Sequence, residues 1–166
     1  MSYDLNILCI NQDKVAKLPF TSSIELRNEN EFPELGRYNS LWPFMCGSKG
    51  IWYSIGKDDE GWFNAMALVD ADFDKVIKRS DMPFWILDDE VMSNLKPLIV
   101  YDEYKSEFDN IIKFLIQQSP NNHIMFLARF QGGEKEIVQG VLKREEFAKL
   151  LCESKILFNV CYVITD

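Results

Sequence analysis

Apolar and polar positions alternate most regularly in the last third of the chain, where the pattern predicts two helices and three strands. Apolar residues recur at intervals of three and four between Phe108 and Ile116, which is the period of an amphipathic helix. Ser106 and Asp109 have the spacing of a capping box at its start. We therefore predict a helix over Glu107–Gln118.

The strands of this region are predicted from apolar runs that are separated by turn residues. His123–Phe130 is almost unbroken in apolar residues, which is typical of a strand buried on both faces. A glycine-containing turn at 131–135 follows, and Glu136–Leu142 is apolar enough to pair back as a hairpin. A second amphipathic helix is predicted around Phe147. Ile156–Thr165 is rich in β-branched and aromatic residues and is predicted to be the last strand.

The first two thirds of the chain contain shorter apolar runs. Three of them predict strands, at Leu5–Ile10, Ile51–Ile55 and Trp62–Val69, and the last two of these flank a hairpin turn with an acidic tip. Weaker patterns, each with acidic residues at its start, predict short helices at Asp70–Arg79 and Asp88–Leu95.

Together these elements predict an α+β fold in which helices pack on one mainly antiparallel sheet. A length of 166 residues is that of one domain, and no linker or repeat divides the chain, so we expect residues 1–166 to form a single domain. No apolar run reaches the roughly 18 residues that a membrane span needs. The first residues also lack the pattern of a signal peptide. We therefore expect a cytoplasmic protein with no membrane partner.

The charge of the chain is negative and unevenly distributed. There are 18 basic and 26 acidic residues, a formal charge of −8, which disfavours nucleic acid as a direct partner. Between Asp58 and Asp109 there are fourteen acidic and five basic residues, so this segment carries −9 and the rest is nearly neutral. The four tryptophans lie between Trp42 and Trp85, overlapping the start of the acidic segment. Such a segment is either a solvated surface or a binding face.

The sequence contains no pattern for a catalytic site or a cofactor. The single histidine, His123, begins a predicted strand, and no nucleophile-elbow pattern accompanies it. The four cysteines, Cys9, Cys46, Cys152 and Cys161, form no CxxC pair and are expected to be structural thiols rather than disulfides or metal ligands. We expect no catalytic residue, no resident metal and no cofactor.

One acidic string leaves an enzyme open as an alternative. Asp70, Asp72 and Asp74 follow a predicted strand, where paired carboxylates can hold Mg²⁺ or Mn²⁺ against a phosphate. This arrangement would suit a metal-dependent phosphoryl or glycosyl transfer enzyme that uses Asp70 and Asp72. The chain lacks a phosphate-cradling glycine loop, however, and helix capping accounts for the same residues.

The other hypothesis is a binding face, on which carboxylates steer a cationic protein and aromatic side chains anchor it. The predicted partner-binding residues are acidic or aromatic and lie in the acidic segment: Asp58, Asp59, Glu60, Trp62, Asp72, Asp74, Asp88, Asp89 and Glu90.

In its overall character the chain resembles the bacterial immunity proteins that neutralise toxins, including those of contact-dependent growth inhibition systems. The shared features are small size, acidity and the lack of a catalytic pattern. The resemblance implies a cytosolic inhibitor that binds a cognate toxin domain, often a basic nuclease, and covers its active site or a nearby surface. That class has many folds and no common signature, so it implies no particular site residue. An acidic adaptor or a mimic of nucleic acid remains a further alternative.

Overall fold

A mixed β-sheet forms the centre of the structure. The computed structural model describes residues 3–28, 49–81, 89, 92, 95–130 and 137–166. In chain order the strands of these residues are β1 (Tyr3–Ile10), β2 (Glu25–Asn28), β3 (Gly50–Asp59), β4 (Trp62–Asn64), β5 (Val69–Ala71), β6 (Leu98–Val100), β7 (His123–Phe130), β8 (Ile137–Lys143) and β9 (Val160–Thr165). Seven of them form one sheet of order β2-β3-β1-β7-β9-β8, with β4 attached to β3, while β5 and β6 form a separate antiparallel pair.

Two α-helices pack on one face of this sheet, as predicted. α1 is Lys105–Gln118 and α2 is Arg144–Cys152. The apolar stripe predicted for α1 is confirmed, because its five members are all buried: Phe108, Ile111, Ile112, Leu115 and Ile116. The predicted capping box at Ser106 is wrong, since α1 begins at Lys105, two residues before the predicted start, and is preceded by Tyr104, which makes no side-chain cap.

The main core lies between the helices and the sheet. Four rings from α1, β7, α2 and β9 contact one another in series, with centroid distances of 5.9, 5.2 and 5.9 Å: Phe108, Phe126, Phe147 and Tyr162. Their inclined arrangement is the one that aromatic pairs prefer. The opposite face of the sheet carries a smaller buried cluster, made of Leu8, Trp52, Leu127 and Cys161.

These elements form a single α+β domain with a mostly antiparallel sheet, which confirms the predicted fold class. Among the residues described, no helix is long and apolar enough to cross a membrane.

The predicted hairpin between β7 and β8 is wrong. β9 lies between these two strands, antiparallel to β7 and parallel to β8. A parallel pair needs a crossover connection, and α2 supplies it between β8 and β9. β9 suits the inner position because its alternate faces are both apolar, with Cys161 in the smaller cluster and Tyr162 in the main core.

Two predicted strands differ from the structure in their bounds, and one predicted helix does not form. The strand predicted at Trp62–Val69 is broken after Asn64, whose side chain accepts a hydrogen bond from the Met66 amide and starts a short 3-10 helix. The strand predicted at Ile156–Thr165 begins only at Val160. The helix predicted at Asp70–Arg79 is wrong, because its start belongs to β5 and a 3-10 helix forms only at Arg79–Asp81.

In the segment predicted as a helix at Asp70–Arg79, Asp72 stabilises a local turn instead. Asp72 accepts a hydrogen bond from the backbone N–H of Lys75 at 3.1 Å, and the residues between Ala71 and Arg79 form no regular element. The helix predicted at Asp88–Leu95 lies largely outside the described residues.

Candidate partner-binding site

The acidic hairpin predicted from the sequence is a ribbon that projects beyond its neighbours in the sheet. β3 pairs with β1 as far as Ser54 and with β2 as far as Gly56. Beyond that point its described partner is β4, in the pairs Lys57–Asn64, Asp58–Phe63 and Asp59–Trp62. We call residues 57–64 the hairpin ribbon. The sequence predicted a turn of six residues between Ile55 and Trp62. The observed turn is shorter because β3 continues through Asp59.

A two-residue turn closes the hairpin ribbon. Glu60 and Gly61 both have positive φ angles, 53° and 87°, which is the conformation of a type I′ turn between twisted strands. The carboxylate of Asp58 accepts a hydrogen bond from the Gly61 amide at 2.9 Å. Asp58, one of the predicted partner-binding residues, therefore also stabilises the turn that presents its neighbours.

The two faces of the hairpin ribbon carry different residues, because side chains alternate along a strand and directly paired residues share a face. Asp58 and Phe63 share one face. On it the Phe63 ring lies against Gly56, and the guanidinium carbon of Arg27 is 4.2 Å from the ring centroid. This face is attached to the sheet through β2 and carries one of the acidic residues.

The other face carries Asp59 and Trp62, and it adjoins the start of α1. Lys57 lies on this face, and its ammonium donates a hydrogen bond of 2.7 Å to the hydroxyl of Tyr104. That hydrogen bond raises the pKa of Lys57, and the negative charges of Glu103 and Asp59 act in the same direction. The side chain of Trp62 is unusually exposed, at 79%. An exposed indole beside carboxylates thus forms the outer part of this face.

The remaining described site residues lie past the end of β5, among different neighbours. The amide of Asp72 donates a hydrogen bond to the carbonyl of Pro97, and Asp74 is exposed two residues further on. Asp89 is paired with Arg79 at 3.2 Å. Asp88 and Glu90 lie outside the described residues. The structure therefore brings Asp58, Asp59, Glu60 and Trp62 together and gives Asp72, Asp74 and Asp89 other surroundings.

Several residues that the sequence did not identify belong to the same surroundings as the hairpin ribbon. Met66, 40% exposed, follows β4, and the exposed residues Asp102 and Glu103 form the 3-10 helix before α1. The sequence shows that Met66 is apolar and that Asp102 and Glu103 are acidic, but it does not show that they lie near the ribbon. Met66 is near the ribbon because it follows β4 in the chain, whereas Asp102 and Glu103 are brought near it by the contact between Lys57 and Tyr104, which are 47 positions apart.

The carboxylates of the alternative metal site are engaged in local contacts. Asp70 accepts hydrogen bonds from the Tyr3 hydroxyl at 3.2 Å and from the Ala71 amide at 2.8 Å. Burial, together with the charge and hydrogen bond of Asp70, raises the pKa of Tyr3. Within the described part of the chain, no group of three or more His, Cys, Asp or Glu residues is arranged to hold a metal ion.

Comparisons with known proteins give no relative that would assign this site. No family model matches the chain, and neither the curated proteins nor the solved structures include a significant match.

Proposed function

We propose that this chain is an immunity protein, an inhibitor that binds a basic toxin domain of the nuclease type through the hairpin ribbon. The observation that carries the proposal is the exposure of Trp62, at 79%, on an acidic projection. Tryptophan is usually well buried in folded proteins, and exposed aromatic side chains are enriched at protein interfaces. A partner that covers Trp62 would remove this apolar surface from water.

The carboxylates and the indole would act at different stages of binding. Asp59, Glu60 and their neighbours would attract a cationic surface over a distance and raise the association rate. Trp62 would then enter a pocket of the partner and slow dissociation, because a buried aromatic anchor contributes mainly to the lifetime of a complex.

A nuclease supplies a suitable surface for such a binder. Enzymes that act on nucleic acid contact the phosphate backbone through lysine and arginine side chains, so the surface around their active site is basic. A negatively charged ribbon that occupies this surface would exclude the nucleic acid. Inhibition would then need neither a catalytic residue nor a cofactor in the inhibitor.

The proposal is tested by capturing partners from a lysate of the native host with the wild-type protein and with Trp62→Ala. We expect the wild type to retain a basic protein whose nuclease activity it blocks at a one-to-one ratio. Truncating an interface tryptophan should weaken its binding by about 30-fold or more, the range of a hot-spot residue. Val76→Ala is the matched control, because Val76 is also highly exposed, at 83%, but lies in the segment after β5.

Two results would contradict the proposal. One is a captured partner that binds Trp62→Ala as tightly as it binds the wild type. The other is a partner whose enzymatic activity is unaffected when the complex forms.

A further inference from the structure

The hairpin ribbon needs support from outside its own two strands. A two-stranded hairpin is at best marginally stable by itself in water. Here the ribbon leaves the sheet after Gly56, so neither β1 nor β2 extends along it in the residues described. Its orientation must therefore depend on side chains at its base, and among the described residues each face has a side-chain contact that can supply this support.

On the face that carries Asp58, the contact is the stack of Arg27 over Phe63, at 4.2 Å. Arg27 belongs to β2 and also pairs with Glu25 at 3.5 Å. This contact attaches the ribbon to the edge of the sheet. It does not involve the face on which Trp62 and Asp59 lie.

On the face that carries Trp62, the contact is the hydrogen bond from Lys57 to Tyr104. The ammonium lies 2.7 Å from the phenol oxygen and 5.1 Å from the centre of the ring. Tyr104 is a firm attachment point because it is only 7% exposed and belongs to the main core, and its amide donates a hydrogen bond to the Tyr101 carbonyl at 2.9 Å. The ribbon is thereby joined to the first turn before α1.

The surroundings of Lys57 give this contact a second role. Asp59 lies two positions from Lys57 on the same face of the ribbon, and Glu103 directly precedes Tyr104, the residue that accepts the hydrogen bond from Lys57. Two carboxylates that approach each other repel, and a cation between them offsets this repulsion. The Lys57 ammonium therefore places a positive charge where an acidic strand of the ribbon meets the acidic helix start.

We propose that Lys57 is a positioning residue that joins the hairpin ribbon to the start of α1 and so assembles one composite docking surface, in which Trp62 and Asp59 from the ribbon act together with Glu103. This inference rests on the proposed function. It adds that the partner meets two elements of the fold rather than an isolated loop. The partner surface that fits is an apolar pocket for the indole with lysine or arginine side chains on the side that faces Glu103.

The effect of removing the Lys57 charge on partner binding distinguishes positioning from electrostatic steering. Lys57→Met keeps the aliphatic stem but makes the chain more negative by one charge, so steering alone would leave association with a basic partner equal or faster. Positioning by Lys57 predicts the reverse, a complex about tenfold weaker, which is the usual effect of losing one charged hydrogen bond. Lys113→Met is the matched control, because Lys113 is exposed on α1 and the change in net charge is the same.

Tyr104→Phe tests the same contact without any change of charge. It keeps the buried ring and removes only the hydroxyl that accepts the hydrogen bond from Lys57. We expect a loss of affinity in the same direction as for Lys57→Met and about threefold in size, since the cation can still face the ring.

Amide hydrogen exchange in the absence of a partner provides an independent measurement. We expect residues 58–62 to exchange about tenfold faster in Lys57→Met and in Tyr104→Phe than in the wild type, because one of the two contacts that oppose local opening of the ribbon is lost. Lys113→Met should exchange like the wild type, and unchanged melting of all variants would show that the fold is intact.

The outcomes separate the inference from the proposed function. Unchanged exchange in both variants overturns the positioning role, whatever the partner does. Faster exchange with unchanged affinity overturns the composite docking surface. A wild-type protein that binds no basic partner overturns the proposed function and the docking surface together, whereas the exchange measurement still decides whether Lys57 holds the ribbon.

Discussion

Glu107 shows how one carboxylate can attach a long connection to the domain. Its side chain accepts hydrogen bonds from the hydroxyl of Ser22, at 2.5 Å, and from the amide of Ser23, at 2.9 Å. These contacts hold the connection between β1 and β2 against the first turn of α1. The hydrogen bond from Ser22 lowers the pKa of Glu107 most, burial opposes it, and the hydrogen bonds from Ser23 add to the lowering.

We therefore expect the stability of the protein to fall at acidic pH partly through Glu107. Because its pKa is lower in the folded state, the carboxylate contributes stability that is complete above the unfolded value of about 4.3 and is lost as the pH falls through the folded value. Glu107→Gln should lower the free energy of unfolding by about 1 kcal/mol at pH 7, the usual size for one hydrogen-bonded group. The difference from the wild type should shrink toward pH 3.

Chemical denaturation at a series of pH values between 7 and 3 would measure this difference. Glu145→Gln, which removes an exposed carboxylate from α2, is the control. A difference between Glu107→Gln and the wild type that stays constant over this range would show that ionisation of Glu107 does not contribute.

At the scale of elements, the close approach of β3 to β1 depends on Gly50. Its φ angle is +148°, and a Cβ atom there would lie 2.2 Å from the carbonyl oxygen of Cys9. That oxygen belongs to the backbone of a central strand and cannot move aside. No side chain can therefore be accommodated at position 50 while the β1–β3 register is kept.

We expect Gly50→Ala to destabilise the protein by about 2 kcal/mol or more, the cost of a strained backbone together with a displaced strand. Gly140→Ala in β8 is the matched control, since a Cβ atom at that position meets nothing within 4 Å. It should change stability by no more than about 0.5 kcal/mol. Equal effects of the two substitutions on the midpoint of urea denaturation would rule out the steric explanation.

The elements that the sequence predicted best are those whose own side chains specify them. α1 has an apolar stripe that satisfies one period over its whole length, and the glycine-containing acidic turn between β3 and β4 specifies a hairpin. The pairing of β8 depends on the arrival of a strand from later in the chain, which no local pattern encodes. Asp72 resembles a helix start in sequence because carboxylates favour turns of many kinds, and here its turn is not followed by a helix, while Asp70 belongs to β5.

At the scale of the whole molecule, charge is expected to control how fast a partner arrives. We predict that the double substitution Asp59→Lys and Glu60→Lys slows association with a basic partner by about tenfold at low ionic strength. The loss should diminish as salt is raised, because the Debye length is about 8 Å at physiological ionic strength. Asp58 is left unchanged, since it accepts the hydrogen bond that stabilises the turn.

Stopped-flow association at several salt concentrations would measure the effect. The same reversal at Asp74 and Asp89 provides the comparison, and it should have a smaller effect because Lys75, Lys78 and Arg79 already reduce the negative charge of that segment. If the two double reversals are equivalent at every ionic strength, the whole acidic segment acts as one surface, and the hairpin ribbon has no special role.

Part of the candidate site followed from the sequence alone, because the cluster of Asp58, Asp59 and Glu60 and the adjacent Trp62 are contiguous in the chain. The sequence could not show that Asp58 and Asp59 face opposite ways, since that depends on the register with β4. Nor could it show the contribution of Tyr104, whose hydroxyl meets Lys57 only when α1 packs on the sheet. Contacts across long separations are set by the tertiary fold and leave no signal in local composition.

The position of β9 also has a consequence for the newly made chain. Ribosomes release a protein from its N-terminus onward, so β7 and β8 emerge before the strand that must lie between them. At roughly 5–20 residues per second, the 17 to 22 residues that separate β8 from the body of β9 take about one to four seconds to appear. During this interval the nascent chain exposes the backbone edge of β7 that will pair with β9, and premature pairing of β8 with that edge would have to be undone. In the seconds after β8 emerges, the strand order of the finished sheet thus leaves β7 open to non-native pairing.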